Sequence, residues 1–240
     1  MSGHSKWATT RRKKAVIDAR RGKMFTKLIK EITIAARAGG GDPEGNPRLR
    51  LAIDNAKAAN MPQDNIERAI KKATGELEGQ SYHELIYEGY GPHGVAIMAE
   101  VATDNKNRTV AEVRHLFGKG GGSLGETGSV AWMFDRKGVI LLPKQGKTEE
   151  EVMEVILEEG AEDLQTEDEY FEIQTSLESF EPVRKALVNK NFQIENASLQ
   201  WIAKNTVPVS GEEAEKVMKL IESLEDSDDV QNVYSNADFV

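Results

Sequence analysis

Apolar residues in this chain of 240 residues recur at helical spacing up to about Gly75, and after Gly79 stretches that alternate one by one join the helical ones. Two kinds of element must therefore follow one another. Phe25, Leu28, Ile29, Ile32 and Ala36 form one stripe of a helix starting near Gly22, with Lys23, Lys27, Lys30 and Arg37 on another side. The run Gly39-Gly40-Gly41-Asp42-Pro43 stops it. Asn46 can cap the next helix, with Pro47 in the first-turn position where a missing N–H costs nothing. That helix carries Leu49, Ala52, Ile53 and Ala56 and ends near Asn60. A third starts around Pro62, runs on Ile66, Ala69, Ile70 and Ala73, and stops at Gly75. The spacing predicts a small helical bundle with its cations left outside.

Beyond Gly79 the pattern is mixed. Val95, Ile97, Ala99 and Val101 alternate as a strand, and Asn107 or Thr109 can cap a helix on Val110, Val113 and Phe117. The glycine-rich stretch Gly118–Gly128 leads to an expected strand at Val130–Phe134. Asp135-Arg136-Lys137-Gly138 reads as a turn before a strand at Val139–Leu142. Thr148 and Glu151 form a capping box for a helix on Val152, Val155 and Ile156, closed by Gly160. Phe171, Ile173 and Thr175 alternate as a strand, Pro182–Lys190 is helical, and Leu199, Trp201 and Ala203 alternate again. Ser210 and Glu213 suggest a second capping box, for a helix on Ala214, Val217, Ile221 and Leu224, before a strand at Val230–Ser235. Such units predict an α+β architecture with helices packed on one face of a sheet.

Charge is divided as sharply as periodicity. The first 72 residues hold 17 Lys and Arg against 7 Asp and Glu, while the remainder holds 14 against 33. A cationic face gains affinity from phosphates and an acidic one repels them, so the split points to a polyanion at one end only. Lys6, Arg11, Arg12, Lys13, Lys14, Arg20, Arg21, Lys23 and Lys27 are the phosphate-contact candidates, in a basic arm and the helix after it. Trp7 either stacks on a base or plugs the bundle. Lys106, Arg108 and Lys119, in the segments 103–109 and 118–125, offer a second contact.

Other chemistries find little support. With no cysteine there are no disulfides, thiolate nucleophiles or cysteine-based zinc sites. No apolar run approaches the roughly 18 residues of a membrane span, and the N-terminus lacks a signal-peptide core, so a cytoplasmic address is expected. Gly89, Gly91, Gly94 and Gly120, Gly122, Gly125 match the dinucleotide-binding spacing, but neither set lies between a strand and a helix N-terminus. Gly118-Lys119-Gly120 lacks the hydroxyl residue of a phosphate loop, and His83-Glu84 is followed by Tyr87 where a zinc helix places its second histidine. The carboxylates of Glu149–Glu151, Glu158, Glu159 and Asp226–Asp229 read as solvated faces and a turn. No cofactor, metal or catalytic constellation is expected.

Gly3-His4-Ser5-Lys6-Trp7, Arg21–Lys27, Gly40-Gly41-Asp42-Pro43, Asn46–Arg50, Asn60-Met61-Pro62, Tyr87–Pro92, Thr103–Thr109 and Gly121–Gly125 together resemble the YebC family. The resemblance implies three domains: an N-terminal helical bundle and two α+β domains of ferredoxin-like type, one inserted in the other. The expected boundaries are 1–78, then 79–136 with 206–240, with the acidic domain 137–205 inserted. It also implies a non-enzymatic regulator, since the family is described as probable DNA-binding transcriptional regulators. A mitochondrial relative activates translation and bacterial members are linked to the ribosome, which makes ribosomal RNA the alternative partner. A small-molecule-sensing regulator is the rival from another class. The acidic domain is expected to face away from the polyanion or to meet a basic protein.

Overall fold

The computed structural model describes the backbone from Asp18 and side chains from Gly22, both through Val240. Three helices come first: α1 (Asp18–Gly39), α2 (Pro47–Ala58) and α3 (Gln63–Ala73). Then follow β1 (His83–Tyr90), β2 (Ala96–Thr103), α4 (Lys106–Lys119), β3 (Ser123–Leu124) and β4 (Phe134–Pro143). The acidic stretch contributes α5 (Glu149–Ile156), β5 (Ala161–Thr166), β6 (Tyr170–Thr175), α6 (Leu177–Asn189) and β7 (Asn196–Ala203). The chain closes with β8 (Val207–Val209), α7 (Gly211–Glu225), β9 (Val230–Ser235) and β10 (Ala237–Phe239). Two compact units result. One runs up to Phe134 and resumes over Ala203–Val240; the other is Asp135–Ile202.

In the first unit α1, α2 and α3 bury one shared core of Ile32, Ala36, Leu49, Ala52, Ala56, Ile66 and Ala69, with Phe25, Leu28, Ile29 and Ile70 at its margin. Asn46 joins two helices. Its Oδ1 accepts from the Leu49 N–H at 3.1 Å, and its amide donates to the carbonyls of Ala35 and Gly40 at 2.8 and 2.9 Å. One buried side chain thus ties the last turn of α1 and the residue after it to an orphan N–H at the start of α2.

The sheet of this unit has the order β3-β1-β2-β9, with each neighbouring pair antiparallel. Val95, Ile97, Ala99 and Val101 pack beneath Val113 and Phe117 of α4 and beneath Val217, Leu220, Ile221 and Leu224 of α7. In the second unit the order is β5-β6-β4-β7, from a chain order β-α-β-β-α-β. That is the ferredoxin-like arrangement. The first sheet has the same spatial order, with β2, β3 and β9 as first, second and fourth strands. Its third strand, β1, comes ahead of the others in the chain. The architecture is therefore α+β, a helical bundle with two ferredoxin-like domains, the later one inserted between Phe134 and Ala203.

Several local expectations are corrected. The cap of α4 is Asn105, whose Oδ1 accepts from the Arg108 N–H at 3.1 Å, not Asn107 or Thr109. Val130–Phe134 is not a strand; Ala131–Met133 is a single tight turn of helix. Asp135–Gly138 is no turn either, because β4 runs straight through it. Gly138 is needed for contact: a Cβ there would collide with Thr175 and Phe180. The capping box at Thr148 and Glu151 is present, whereas Ser210 precedes α7 without a side-chain cap bond.

Candidate nucleic-acid interface

Lys23, Lys27 and Lys30 lie at i, i+4 and i+7 on α1, so one face carries three ammonium groups. That face meets the C-terminal end of α7. Lys23 Nζ donates to the Asp226 carbonyl at 2.9 Å and Lys27 Nζ to the Glu225 carbonyl at 2.8 Å. Lys30 Nζ donates to the carbonyls of Ala102 and Asp228 and to Asp229 Oδ1, at 3.0, 2.8 and 2.9 Å. The last carbonyls of a helix lack intrahelical donors and carry the negative end of its dipole, so a row of ammonium groups complements them.

Asp229 is the hub of this contact. It is buried, and besides Lys30 it accepts from Arg108 at 2.6 Å, Thr109 at 2.7 Å and Thr103 at 3.2 Å. Burial alone would raise its pKa. Hydrogen bonds from Arg108, Lys30 and Thr109 outweigh that and bring it down to about 2. The carboxylate is consequently ionised wherever the protein is folded near neutral pH. Arg48 makes a second tie between bundle and sheet, donating to Glu31 on α1 and Glu84 on β1.

Cations elsewhere in the first unit are differently placed. Lys106, Arg114 and Lys119 are exposed on α4, and Arg37, Lys57, Arg68, Lys71 and Lys72 are exposed on the bundle. Among the described residues none of these eight has an ion-pair partner. On α3 the apolar stripe is buried, while Arg68, Lys71 and Lys72 share the opposite face at i, i+3 and i+4. This helical spacing is visible in the sequence but is overshadowed by the denser clusters upstream.

Beyond α4 the chain returns along β1. Gly122 lies so close to the Tyr90 carbonyl that a Cβ would collide with it. Glu88, buried on β1, accepts from the backbone N–H groups of Gly128, Val130 and Ala131 at 2.7, 2.8 and 2.8 Å. Burial opposes the Glu88 charge, but the three amides prevail and its pKa lies below the ordinary carboxylate value. Trp132 stands on the turn so formed, 66% exposed, its Nε1–H donating to the Ser129 carbonyl at 3.1 Å.

Two family models account for most of the chain. Residues 5–76 match the TACO1/YebC protein N-terminal domain, and residues 82–237 match the TACO1/YebC second and third domain. The chain belongs to the TACO1/YebC family. A probable transcriptional regulatory protein of Chlorobaculum tepidum is 60% identical over 239 residues, covering 99% of this chain and 95% of the relative. One of the same description from Geobacter sulfurreducens is 58% identical, covering 99% and 96%. Among solved structures, the crystal structure of a conserved hypothetical protein, Aq1575, from Aquifex aeolicus superposes with a TM-score of 0.88 at 51% identity. The match spans 95% of this chain and 94% of that one.

Within this TACO1/YebC chain the candidates chosen from sequence divide into three groups. Lys6, Trp7, Arg11, Arg12, Lys13 and Lys14 lie outside the described residues, as do the side chains of Arg20 and Arg21 on α1. Lys23, Lys27 and Arg108 are engaged by the protein's own carboxylate and carbonyl oxygens. Lys106 and Lys119 are exposed at opposite ends of α4, with Arg114 between them. Of the three aspartates in the turn after α7, Asp226 and Asp228 are exposed as a solvated turn requires, whereas Asp229 is buried and bonded to Lys30. No helix of the described residues is long and apolar enough to cross a membrane.

Proposed function

We propose that this chain is a non-enzymatic, nucleic-acid-binding regulator of gene expression that works in the cytoplasm. Its relatives carry the description probable transcriptional regulatory protein, which makes DNA the first partner to test. The observation that carries the reading is the set Lys106, Arg114 and Lys119 on α4, all exposed and none neutralised by a described carboxylate. Cations held on a rigid helix without internal partners are what a sugar-phosphate strand needs. The basic arm, Lys6 to Lys14 with Arg20 and Arg21, extends this contact in the proposal. The acidic inserted domain is left for a basic protein.

Contacts of this kind give affinity with little base readout. The test is the affinity of the full chain for labelled duplex DNA and for a structured RNA, followed by anisotropy as salt is raised. Reversing Lys106, Arg114 and Lys119 to glutamate together is expected to weaken binding at least ten-fold and to flatten the salt dependence, by about 0.9 in log–log slope per lost phosphate contact. Unchanged affinity in that variant, and in a second with Arg11–Lys14 reversed, overturns the proposal. Sedimentation of cell extract separates the two partners: co-migration with ribosomal particles selects RNA, and a free pool crosslinked to promoters selects DNA.

A further inference from the structure

We infer that the outward face of α5 is a docking site for an amphipathic helix of a basic protein, whose apolar residues seat on Met153 and Leu157 and whose Lys or Arg side chains meet the carboxylates around them. This rests on the reading above that leaves the acidic domain for a basic protein, and adds to it the place and the kind of segment received.

The face is built by helical spacing. Val152 and Ile156 turn inward and are fully buried. Leu157 continues the last turn, its N–H donating to the Met153 carbonyl at 3.0 Å. Glu149, Met153 and Leu157 therefore stand in one column, each a turn after the last. Met153 is 37% and Leu157 67% exposed, and with Glu149, Glu150 and Glu154 they line one shallow hollow open to solvent. The adjoining column of Glu150, Glu154 and Glu158 is exposed throughout. Among the described residues none of these four glutamates has an ion-pair partner. Lys147, the cation nearest to them in the chain, is drawn instead to Glu151 at 3.9 Å and to the ring of Phe192.

Helix stability does not account for the arrangement. Glu149 and Glu150 suit the positive end of the α5 dipole, but Glu154 and Glu158 lie at its negative end, where the last turn holds no basic residue. Carboxylates that oppose their own helix, beside an exposed methionine and leucine, are left to be answered from outside the domain. Their charge decides the occupant. A polyanion is repelled. A second copy packed two-fold on the same face would set glutamates against glutamates. A cationic amphipathic helix answers both the carboxylates and the apolar pair, and the unbranched Met153 side chain adapts to whichever apolar residue arrives.

The test measures the full chain against a labelled synthetic peptide of about fourteen leucine and lysine residues in amphipathic helical order. A control peptide has glutamine in place of every leucine. The amphipathic peptide is expected to bind about ten-fold tighter than the control, and Met153→Ser with Leu157→Ser to erase that advantage while the salt dependence stays. Glu154→Gln with Glu158→Gln is expected to weaken both peptides and to flatten the salt dependence. All four positions are exposed, so the circular dichroism of these variants should match that of the wild type. Equal affinity for the two peptides, an advantage that survives the serine variant, or a salt dependence untouched by the glutamine variant overturns the inference while the reading of a basic partner stands. So does tighter peptide binding by a chain with Arg11–Lys14 reversed to glutamate, which gives the face to the chain's own arm. If the wild-type chain binds neither peptide, that reading fails first and the inference falls with it.

Discussion

Lys30 and Asp229, 199 residues apart in the chain, face each other at 2.9 Å with both side chains less than a tenth exposed. A buried charge pair of this kind is held together by the number of its partners. Asp229 accepts from three donors besides Lys30, and Lys30 spends its three protons on three oxygens. Removing either partner leaves a charge in a place that water does not reach.

Replacement of Asp229 by alanine should therefore destabilise the first unit by about 3–5 kcal/mol, since Lys30, Arg108, Thr103 and Thr109 all lose an acceptor. Urea unfolding followed by far-ultraviolet circular dichroism measures it. A loss below 1 kcal/mol would mean that the cluster is dispensable.

The same pair predicts an acid dependence of definite sign. The Asp229 pKa is depressed from 3.8 to about 2, so its contribution is complete above pH 4 and is lost as pH falls towards 2. The stability difference between wild type and Asp229→Asn should be constant from pH 7 to 5 and shrink between pH 4 and 2. Other carboxylates are common to both chains and cancel. A difference that stays flat down to pH 2 contradicts the assignment.

Lys27 offers a contrast with the exposed cations of α4. Its ammonium serves the Glu225 carbonyl, so Lys27→Met is expected to lower stability by about 1 kcal/mol while leaving the salt dependence of nucleic-acid binding where it was. Lys119→Glu should behave in the opposite way, with stability held and binding reduced. Thermal unfolding and anisotropy on the same two variants decide between these roles.

Glu88→Gln exchanges a carboxylate with several acceptor sites for an amide that offers one oxygen and an unwanted NH2. Three backbone N–H groups then compete for too few lone pairs, at a cost of about 1–3 kcal/mol. Hydrogen exchange should accelerate at Gly128, Val130 and Ala131 ahead of the rest of the sheet. Uniform acceleration would show instead that the turn has no stability of its own.

In the inserted unit, Gly138→Ala drives a methyl group into Thr175 and Phe180. Overpacking at a strand pair of this closeness is expected to cost about 1–3 kcal/mol. The unfolding transition of Asp135–Ile202 should move down while that of the first unit holds. Amide exchange resolved by segment reports both.

The bundle was legible because each of its helices has both an apolar stripe and a punctuating residue, Asn46-Pro47 at one boundary and Gly39–Pro43 at another. β1 was not, since Gly89 interrupts its inner face. That glycine is there because a Cβ would strike the Ser123 carbonyl and Phe117, neither of which is near in sequence. The site shows the same limit. Spacing reveals that Lys23, Lys27 and Lys30 share a face, but nothing local says that the face meets a turn some 200 residues later. Asp226–Asp229 reads as a solvated turn for the same reason: four polar residues in a row carry no mark of what covers them. Trp132 was hidden by its neighbours, because Val130 and Phe134 suggest a strand until Glu88 gathers the amides between them into a turn.

The oxygens that receive α1 all belong to residues translated late, apart from that of Ala102. While a ribosome is still making the inserted domain, the lysine face of α1 has no counterpart and the central sheet lacks its fourth strand. Both arrive together over residues 225–235. Closure of the first unit thus waits for a segment made after the whole inserted domain, and a chain that stops before Asp229 forfeits the seam that residue would have sealed.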